Sequence, residues 1–171
     1  GWIKNMNVMT YSEVRASFKQ AMDDVCRHHD PTVITRQRGE HVVMMSLADY
    51  NSMEETMYLL GNPVNAERLM RGVEQKAQNK EAAKHIKFAW TDDGWDDYLY
   101  WQEHDEKKVE EINALLEECS RDPFKGTGKP EPLRGNLTGY WSRRIDKEHR
   151  LVYLPEDKCI YIIQCRFHYE K

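Results

Sequence analysis

Residues 33–60 read VITRQRGEHVVMMSLADYNSMEETMYLL, and this stretch contains two different periodicities. Residues 32–36 and 41–46 are rich in Val, Ile and Thr, and Gln37-Arg38-Gly39-Glu40 separates them. Two such runs around a short polar turn predict a β-hairpin. From residue 47 onward the apolar residues fall at helical spacing, and Gly61-Asn62-Pro63 marks the end of the pattern. The stretch therefore predicts a hairpin followed by a helix over residues 47–60.

The flanking residues extend this pattern in both directions. Residues 7–10 predict a short strand, and Ser12 is expected to cap a helix with one continuous apolar stripe. The stripe consists of Val14, Phe18, Ala21, Met22 and Val25. A further helix is predicted over residues 65–75. The resulting order, β-α-β-β-α-α within residues 6–75, is too small for a deep catalytic cleft.

Methionine and aromatic residues are segregated along the chain. All 8 Met residues precede residue 71, whereas 13 of the 18 aromatic residues follow residue 87. Flexible Met and rigid aromatic side chains fill cores differently, so this segregation predicts two domains. Residues 74–84, EQKAQNKEAAK, have no Pro or Gly and predict a helical spacer. We assign residues 1–75 to the first domain (6–46, then helices within 47–75), 76–85 to a linker and 86–171 to the second domain.

The amino-acid composition excludes several classes of protein. The 171 residues are 40% hydrophobic with a net charge of −4, which excludes a collagen-like, disulfide-scaffold or disordered chain. No apolar run approaches the roughly 20 residues that span a bilayer. Residues 1–10 lack the apolar core of a secretory signal, so we expect a cytoplasmic protein without membrane contact. The four Cys residues have no metal-ligand spacing and are expected to be small buried residues.

The second domain is predicted to contain two helices against one antiparallel sheet, an α+β fold. A strand over residues 87–90 precedes two helices, around residues 95–102 and 109–119. Residues 126–132 are rich in Gly and Pro and predict a loop. Strands are predicted over residues 140–145, 150–154 and 160–167. From residue 119 to the end, 11 Lys and Arg residues stand against 7 Asp and Glu, so the predicted sheet region is basic.

This basic region contains side chains suited to metal-free RNA cleavage. Glu131 lies between two prolines, Arg150 is one of several strand cations, and His168 lies between two aromatic residues. A carboxylate can remove the proton of a ribose 2′-hydroxyl, a guanidinium can stabilise the phosphorane, and an imidazole can protonate the leaving oxygen. The alternative is structural: Glu131 is a surface residue, the strand arginines pair with carboxylates, and the terminal histidine is frayed.

The runs YSEVRASF, residues 33–60 and NPVNAERLMRGV closely resemble the Phd/YefM antitoxins over residues 6–73. The resemblance implies a dimeric DNA-binding fold that represses its own operon, followed by a segment that wraps a toxin. It also implies that Arg15 and Arg36 contact operator DNA, for which guanidinium groups are suited. Charge alone favours a solvated surface, because the basic and acidic residues are balanced through Lys80.

The motifs GKPEPL, GYWSRRI, EHRLVY and CRFHY resemble those of the YoeB toxins of the RelE superfamily over nearly the whole second domain. The resemblance implies a ribosome-dependent endoribonuclease that cleaves mRNA without metal or cofactor. It implies that Glu131 is the general base, Arg150 the phosphate-stabilising cation and His168 the general acid. It further implies that Tyr169 orients the substrate and that Lys129 and Arg144 hold RNA.

Together these features predict a toxin–antitoxin fusion, either natural or engineered as a single chain. The expected partners are the ribosome, mRNA, operator DNA and a second copy of the chain. The toxin–antitoxin contact, in cis or between chains, is predicted to involve Met53, Met57, Leu59, Leu60, Leu69 and Met70. The first hypothesis is a latent mRNA endoribonuclease with autorepression. The alternatives are a repressor whose toxin half is only a corepressor or packing partner, and an interaction module with neither activity.

Overall fold

The computed structural model of the chain describes residues 6–78 and 87–169. The chain forms two compact units, residues 1–53 (unit 1) and residues 54–171 (unit 2), and their boundary falls within one helix. Most of the expected linker, residues 79–85, lies outside the described residues. Residues 76–78 are the last residues of a helix. The domain division at 76–85 therefore stays a prediction.

Unit 1 follows the predicted order of elements, with one helix divided in two. The elements are β1 (Asn7–Thr10), α1 (Tyr11–Ala16), α2 (Phe18–His28), β2 (Thr32–Thr35), β3 (Val42–Met44) and the start of α3 (Leu47–Leu60). The three strands form one sheet in the order β1-β2-β3. β1 pairs parallel to β2, and β2 pairs antiparallel to β3 across the predicted hairpin.

The first helix begins and continues differently from the prediction. Thr10, not Ser12, is the N-cap: its hydroxyl accepts the backbone N–H of Glu13, and the Glu13 carboxylate accepts that of Thr10. Ser17 has φ −138° and ψ 46°, which separates α1 from α2. The predicted continuous stripe is therefore wrong. The break turns Phe18 and Met22 to the surface, while Val14 and Val25 stay buried.

Unit 2 contains the predicted helices and strands and one additional short strand. It comprises the end of α3, α4 (Pro63–Gln78), β4 (Phe88–Trp90), α5 (Asp92–His104), α6 (Glu106–Arg121), β5 (Glu131–Pro132), a 3-10 turn (Gly135–Leu137), β6 (Trp141–Arg144), β7 (Arg150–Glu156) and β8 (Cys159–Gln164). The sheet order is β4-β8-β7-β6-β5. One pairing differs from the predicted antiparallel sheet, because β4 runs parallel to β8. The long connection between these two strands permits that direction.

The sheet of unit 2 is covered on both faces. Leu151 and Tyr153 of β7 belong to a core cluster that includes Trp101 of α5 and Ile112 of α6. Val152 lies between them in sequence and belongs to a second cluster, because successive strand residues point to opposite faces. That second cluster includes Leu59 and Leu69 from α3 and α4, together with Leu133, Leu137, Tyr140 and Ile163. Helices from the first part of the chain thus bury one face of a sheet built by the second part.

The prediction that all four Cys residues are buried is only partly confirmed. Cys119, Cys159 and Cys165 are buried as expected, but Cys26 is exposed, because it lies on the outer face of α2. Within residues 6–78 and 87–169, no helix has both the length and the apolar character needed to cross a membrane.

Candidate functional site

Glu131 lies on β5 at the edge of the sheet, opposite Ser142 of β6. Burial raises the pKa of Glu131, the nearby Glu55 carboxylate raises it further, and Arg144 lowers it. These three charged groups are therefore electrostatically coupled. A carboxyl group with a raised pKa is a stronger proton acceptor once ionised, which suits a general base.

Lys129 and Arg144, the predicted RNA-binding residues, are exposed beside this strand. The backbone N–H of Arg144 donates to the carbonyl of Gly128 at 2.6 Å, which joins the loop to β6. Lys129 has φ +49°, a left-handed conformation that is costly for a residue with a side chain. The loop that precedes Glu131 is thus held in a defined conformation by the sheet.

Arg150 is the first residue of β7 and pairs with Arg144 in the strand register. Its side chain is only 4% exposed and its Nε donates to Glu55 Oε1 at 2.7 Å. Its Nη1 donates to the carbonyls of Asp146 and Lys147 at 3.1 and 3.2 Å. The guanidinium predicted to bind phosphate therefore has the Glu55 carboxylate as its anionic partner.

Helix α3 covers this guanidinium with two side chains. The Glu55 carboxylate, itself buried, also accepts a hydrogen bond from the Ser142 hydroxyl at 2.9 Å. The Tyr58 ring lies over the Arg150 guanidinium, with 4.4 Å from Cζ to the ring centroid. The Tyr58 hydroxyl donates to the carbonyl of Glu148 at 2.5 Å. A carboxylate and a phosphate accept the same guanidinium hydrogen bonds, so the Glu55 carboxylate uses hydrogen-bond donors of Arg150 that could otherwise bind a phosphate.

His168 is bound elsewhere. Its Nε2 lies 2.7 Å from Oδ1 of Asp97, a buried residue of α5. Arg68 of α4 also contacts Asp97 at 3.1 Å, and Asn65 of the same helix accepts the backbone N–H of His168 at 3.1 Å. The described structure therefore brings Glu131, Arg144 and Arg150 together but gives the His168 imidazole a different partner.

Tyr169 is exposed, and its ring packs at 5.0 Å from that of Phe167. Loss of hydration and a hydrogen bond to Glu148 raise the pKa of Tyr169 to about 12. Because Tyr58 also binds Glu148 through its hydroxyl, Tyr169 and Tyr58 meet at the same short segment before Arg150. Tyr169 thus lies on the Arg150 side of the site.

Arg143 matches the structural alternative for the strand arginines. It is fully buried and donates to the Tyr153 hydroxyl, the Glu118 carboxylate and three carbonyls of the loop after α6. Those carbonyls belong to Asp122, Lys125 and Thr127. Arg143 therefore stabilises the loop after α6 and does not face the site.

In the part of the chain that the structure describes, no group of His, Cys, Asp and Glu is arranged to hold a metal.

Comparison with known families accounts for both parts of the chain. A profile of the antitoxin Phd_YefM, type II toxin-antitoxin system, matches residues 6–79, and one of the YoeB-like toxin of bacterial type II toxin-antitoxin systems matches residues 90–169. Toxin YoeB of Escherichia coli K12 is 55% identical over 84 residues, 49% of this chain and 100% of that protein. Antitoxin YefM of the same strain is 44% identical over 81 residues, 47% of this chain and 98% of that protein. The chain belongs to the Phd/YefM antitoxin and YoeB toxin families, fused in that order. One solved structure, a heterotetrameric YoeB-YefM complex from Staphylococcus aureus, is 45% identical over 50% of this chain and 99% of that chain, with a TM-score of 0.48.

The toxin part (residues 87–169) and the end of the antitoxin part (residues 6–78) meet within unit 2. Leu59 and Leu69 are fully buried against toxin residues, and Leu60 and Met70 pack against the rim of the same cluster. Met57 is 58% exposed, so the structure does not place it in this contact. Met53 is the last residue of unit 1. The predicted contact residues therefore divide, and those closest to the end of the antitoxin part lie on the toxin.

The sequence analysis did not select Glu55 and Tyr58, the two α3 side chains that contact Arg150. The buried residues of α3 are Asp49, Ser52, Glu55, Thr56 and Leu59, at i, i+3, i+6, i+7 and i+10. Four of these five residues are polar, so a search for apolar periodicity selects the neighbouring methionines instead. The sequence feature that could have identified Glu55 is a row of polar residues at helical spacing on the same face as Leu59, in a helix with few other charged residues.

Of the two arginines of unit 1 predicted to bind DNA, Arg36 lines a groove and Arg15 lies on an exposed helix. A groove of about 790 Å³ is lined by Thr10, Tyr11, Ser12, Thr35, Arg36, Gln37 and Arg38. The Arg36 guanidinium donates to the carbonyl of Glu40 and so also closes the hairpin turn. Arg15 is exposed in the last turn of α1. Arg36 and Arg38 are therefore the cations that this groove brings together.

Proposed function

We propose that the chain is a latent ribosome-dependent mRNA endoribonuclease, inhibited in cis by its antitoxin part. The observation that carries this proposal is the pairing of Arg150 with Glu55, beside Glu131 and Ser142. Membership of the YoeB family supports the nuclease chemistry, and the inserted carboxylate supports its inhibition.

The proposed reaction is a transesterification at phosphorus. Glu131 removes the proton of a ribose 2′-hydroxyl, and the resulting oxygen attacks the adjacent phosphorus. Arg150 stabilises the negative charge of the phosphorane, and His168 donates a proton to the departing 5′-oxygen. The products are a 2′,3′-cyclic phosphate and a free 5′-hydroxyl. Lys129 and Arg144 bind the flanking phosphates, and Tyr169 orients the substrate.

The proposed inhibition rests on Glu55 and Tyr58, which both contact the Arg150 guanidinium. RNA can reach Arg150 only when the Glu55 carboxylate leaves and the Tyr58 ring uncovers the guanidinium. Because the two parts are covalently joined, the inhibitor helix is present at an effective concentration of the order of millimolar. We therefore expect the uncut chain to leave mRNA intact.

The test compares the full chain with residues 86–171 alone in a translation reaction with programmed ribosomes. We expect residues 86–171 to cleave the mRNA, the full chain to leave it intact, and Glu131→Gln to abolish cleavage by the fragment. Intact mRNA with the folded fragment would instead favour the second candidate function, a DNA-binding repressor whose toxin part is only a corepressor. The pairing of Arg150 with Glu55 is the observation that favours this second candidate, because an arginine held in a salt bridge can have a purely structural role.

We further propose that unit 1 binds operator DNA as a dimer and represses transcription of its own operon. The groove with Arg36 and Arg38 supports phosphate and base contacts. Operator binding is tested by comparing the full chain with Arg36→Ala and Arg15→Ala at two salt concentrations. We expect weaker binding for both variants and a shallower salt dependence. Equal, salt-insensitive binding by all three proteins would contradict DNA recognition by these arginines.

A further inference from the structure

Three toxin side chains hold the backbone on which His168 lies. Strand β8 ends at Gln164, so the polar backbone groups of residues 165–168 have no strand partner. The Cys165 N–H donates to Asp97 at 3.2 Å, and its carbonyl accepts the indole N–H of Trp101 at 2.9 Å. The Phe167 N–H donates to Nδ1 of His149 at 3.0 Å. These side chains replace a strand as partners for the segment that ends in the proposed general acid.

His149 is itself rigidly placed. Its ring is largely buried and meets Trp101 edge-on, with 4.8 Å between the ring centroids. Its carbonyl accepts the backbone N–H of Ile145 at 3.0 Å, which closes the turn before β7. Burial lowers the pKa of His149, so its ring is neutral near pH 7 and its Nδ1 can accept a hydrogen bond.

His149 is also the residue immediately before Arg150. One short turn therefore carries both the cation proposed to stabilise the phosphorane and the imidazole that holds the chain before His168. The contact lies wholly within the toxin part, unlike that of Asn65, which comes from the antitoxin helix α4. Removal of α4 would take away Asn65 and leave His149 in place.

We propose that His149 is a positioning residue of the nuclease, which sets the location of His168 through the Phe167 N–H. The inference rests on the proposed function, since it concerns the acid of that reaction. His149 does not touch the substrate. Its acceptor nitrogen fixes the backbone one residue before the acid, and thereby the separation between His168 and Arg150.

The test uses the full chain carrying Glu55→Arg, in which a like charge next to Arg150 displaces α3 from the site. His149→Leu removes the acceptor, whereas His149→Asn retains one, because the amide oxygen lies close to the position of Nδ1. We expect His149→Leu to lower kcat for mRNA cleavage about 10- to 100-fold with little change in KM, as for other residues that orient a functional group. His149→Asn should recover kcat to within about threefold of the parent, while amide hydrogen exchange at Phe167 rises for Leu but not for Asn.

A matched control is His104→Leu, an exposed histidine whose ring stacks on Tyr100 and which should leave kcat unchanged. An unchanged kcat for His149→Leu, with faster Phe167 exchange, would overturn the positioning role and leave the nuclease assignment intact. Equal losses for Leu and Asn would overturn it as well. If His149→Leu does not fold, His149→Asn decides: a kcat loss beyond about tenfold, with Phe167 still protected, contradicts the proposal. Absence of cleavage by the folded Glu55→Arg parent would overturn the proposed inhibition of a nuclease by Glu55, and the positioning role with it.

Discussion

At the scale of single residues, the site is defined by two carboxylates that share one positively charged environment. Glu131 is coupled to Glu55 and Arg144, and Glu55 is bound by Arg150. Glu131 and Arg150 can be selected from the sequence, since both lie in motifs with suitable chemistry. Glu55 cannot be selected in that way, because an acidic residue on a helix is usually solvated. Its role depends on which surface the helix contacts.

Glu131→Gln should make the full chain more stable at neutral pH while abolishing cleavage by the released toxin. Burial and the Glu55 charge raise the pKa of Glu131 in the folded chain above its value in the unfolded chain. The unfolded state therefore loses this proton at lower pH, and stability falls as the pH rises through the interval between the two values. Glutamine does not ionise and therefore avoids this loss. We expect the free energy of unfolding to rise by less than about 1 kcal/mol, because the side chain of residue 131 remains partly hydrated.

Thermal unfolding of the two proteins at pH 4 and pH 7 measures this difference. The gain in Tm should be larger at pH 7 than at pH 4. Glu110→Gln, a change at an exposed carboxylate of α6, is the control and should shift Tm little at either pH. A lower Tm for Glu131→Gln at pH 7 would contradict the assigned environment.

Arg143→Met should destabilise unit 2 by about 1–3 kcal/mol, because loop carbonyls lose their hydrogen-bond donor whereas the partly exposed Glu118 keeps its bonds to Thr127. The substitution leaves the carbonyls of Asp122, Lys125 and Thr127 without their shared donor. Denaturant unfolding measures the loss, and Lys147→Met, at an exposed side chain of the neighbouring turn, should change stability by less than about 0.5 kcal/mol. Equal effects of the two substitutions would contradict the role of Arg143 in the loop.

At the scale of elements, the sequence predicts most helices and strands but not how they pack. Hydrophobic periodicity locates α3 to α6 and the hairpin, because local spacing determines which face is apolar. It does not predict the parallel pairing of β4 with β8, which joins residues about 70 positions apart in sequence. It also does not predict the break at Ser17, where the backbone leaves the helical conformation although the apolar spacing continues. It also selects Met57 for the toxin contact, although packing turns the opposite face of α3 inward.

Gly72→Leu should weaken the packing of α4 on β8 and release toxin activity. A Cβ atom at Gly72 would lie 3.0 Å from Cβ of Ile163, so the helix approaches the strand too closely for a larger residue. We expect a loss of about 1–3 kcal/mol, typical of overpacking, and detectable mRNA cleavage by the full chain. The control is Glu67→Leu on the exposed face of α4, and equal behaviour of the two variants would contradict the packing role.

At the scale of the whole molecule, unit 1 exposes several large apolar side chains, and in the proposed dimer we expect a second copy to cover them. Val8, Val43 and Leu47 are exposed there, and Leu47 is 73% accessible in the single chain. Val8 and Val43 both pair with Val33 in the strand register, so they lie on the same face of the sheet. Contiguous exposed apolar patches often mark sites of association. These residues support the proposed dimer, and a symmetric pair of grooves suits an operator with two half-sites.

Leu47→Glu should convert the dimer to a monomer and reduce operator affinity at least about tenfold. A glutamate in the first turn of α3 is compatible with the helix dipole, so the effect reports on association rather than on folding. Sedimentation equilibrium and operator titration measure the two quantities. Leu99→Glu, at an exposed leucine of unit 2, should leave both unchanged, and a monomeric parent chain would contradict the dimer.

The central claim is that Glu55 of the same chain binds Arg150 of the proposed nuclease site and thereby blocks it. The measurement that tests it most directly is mRNA cleavage on programmed ribosomes by the full chain, by Glu55→Arg, and by Glu55→Arg with Glu131→Gln. We expect no cleavage by the first, cleavage by the second and none by the third. Equal cleavage by the full chain and by Glu55→Arg, or cleavage that persists after Glu131→Gln, would contradict the claim.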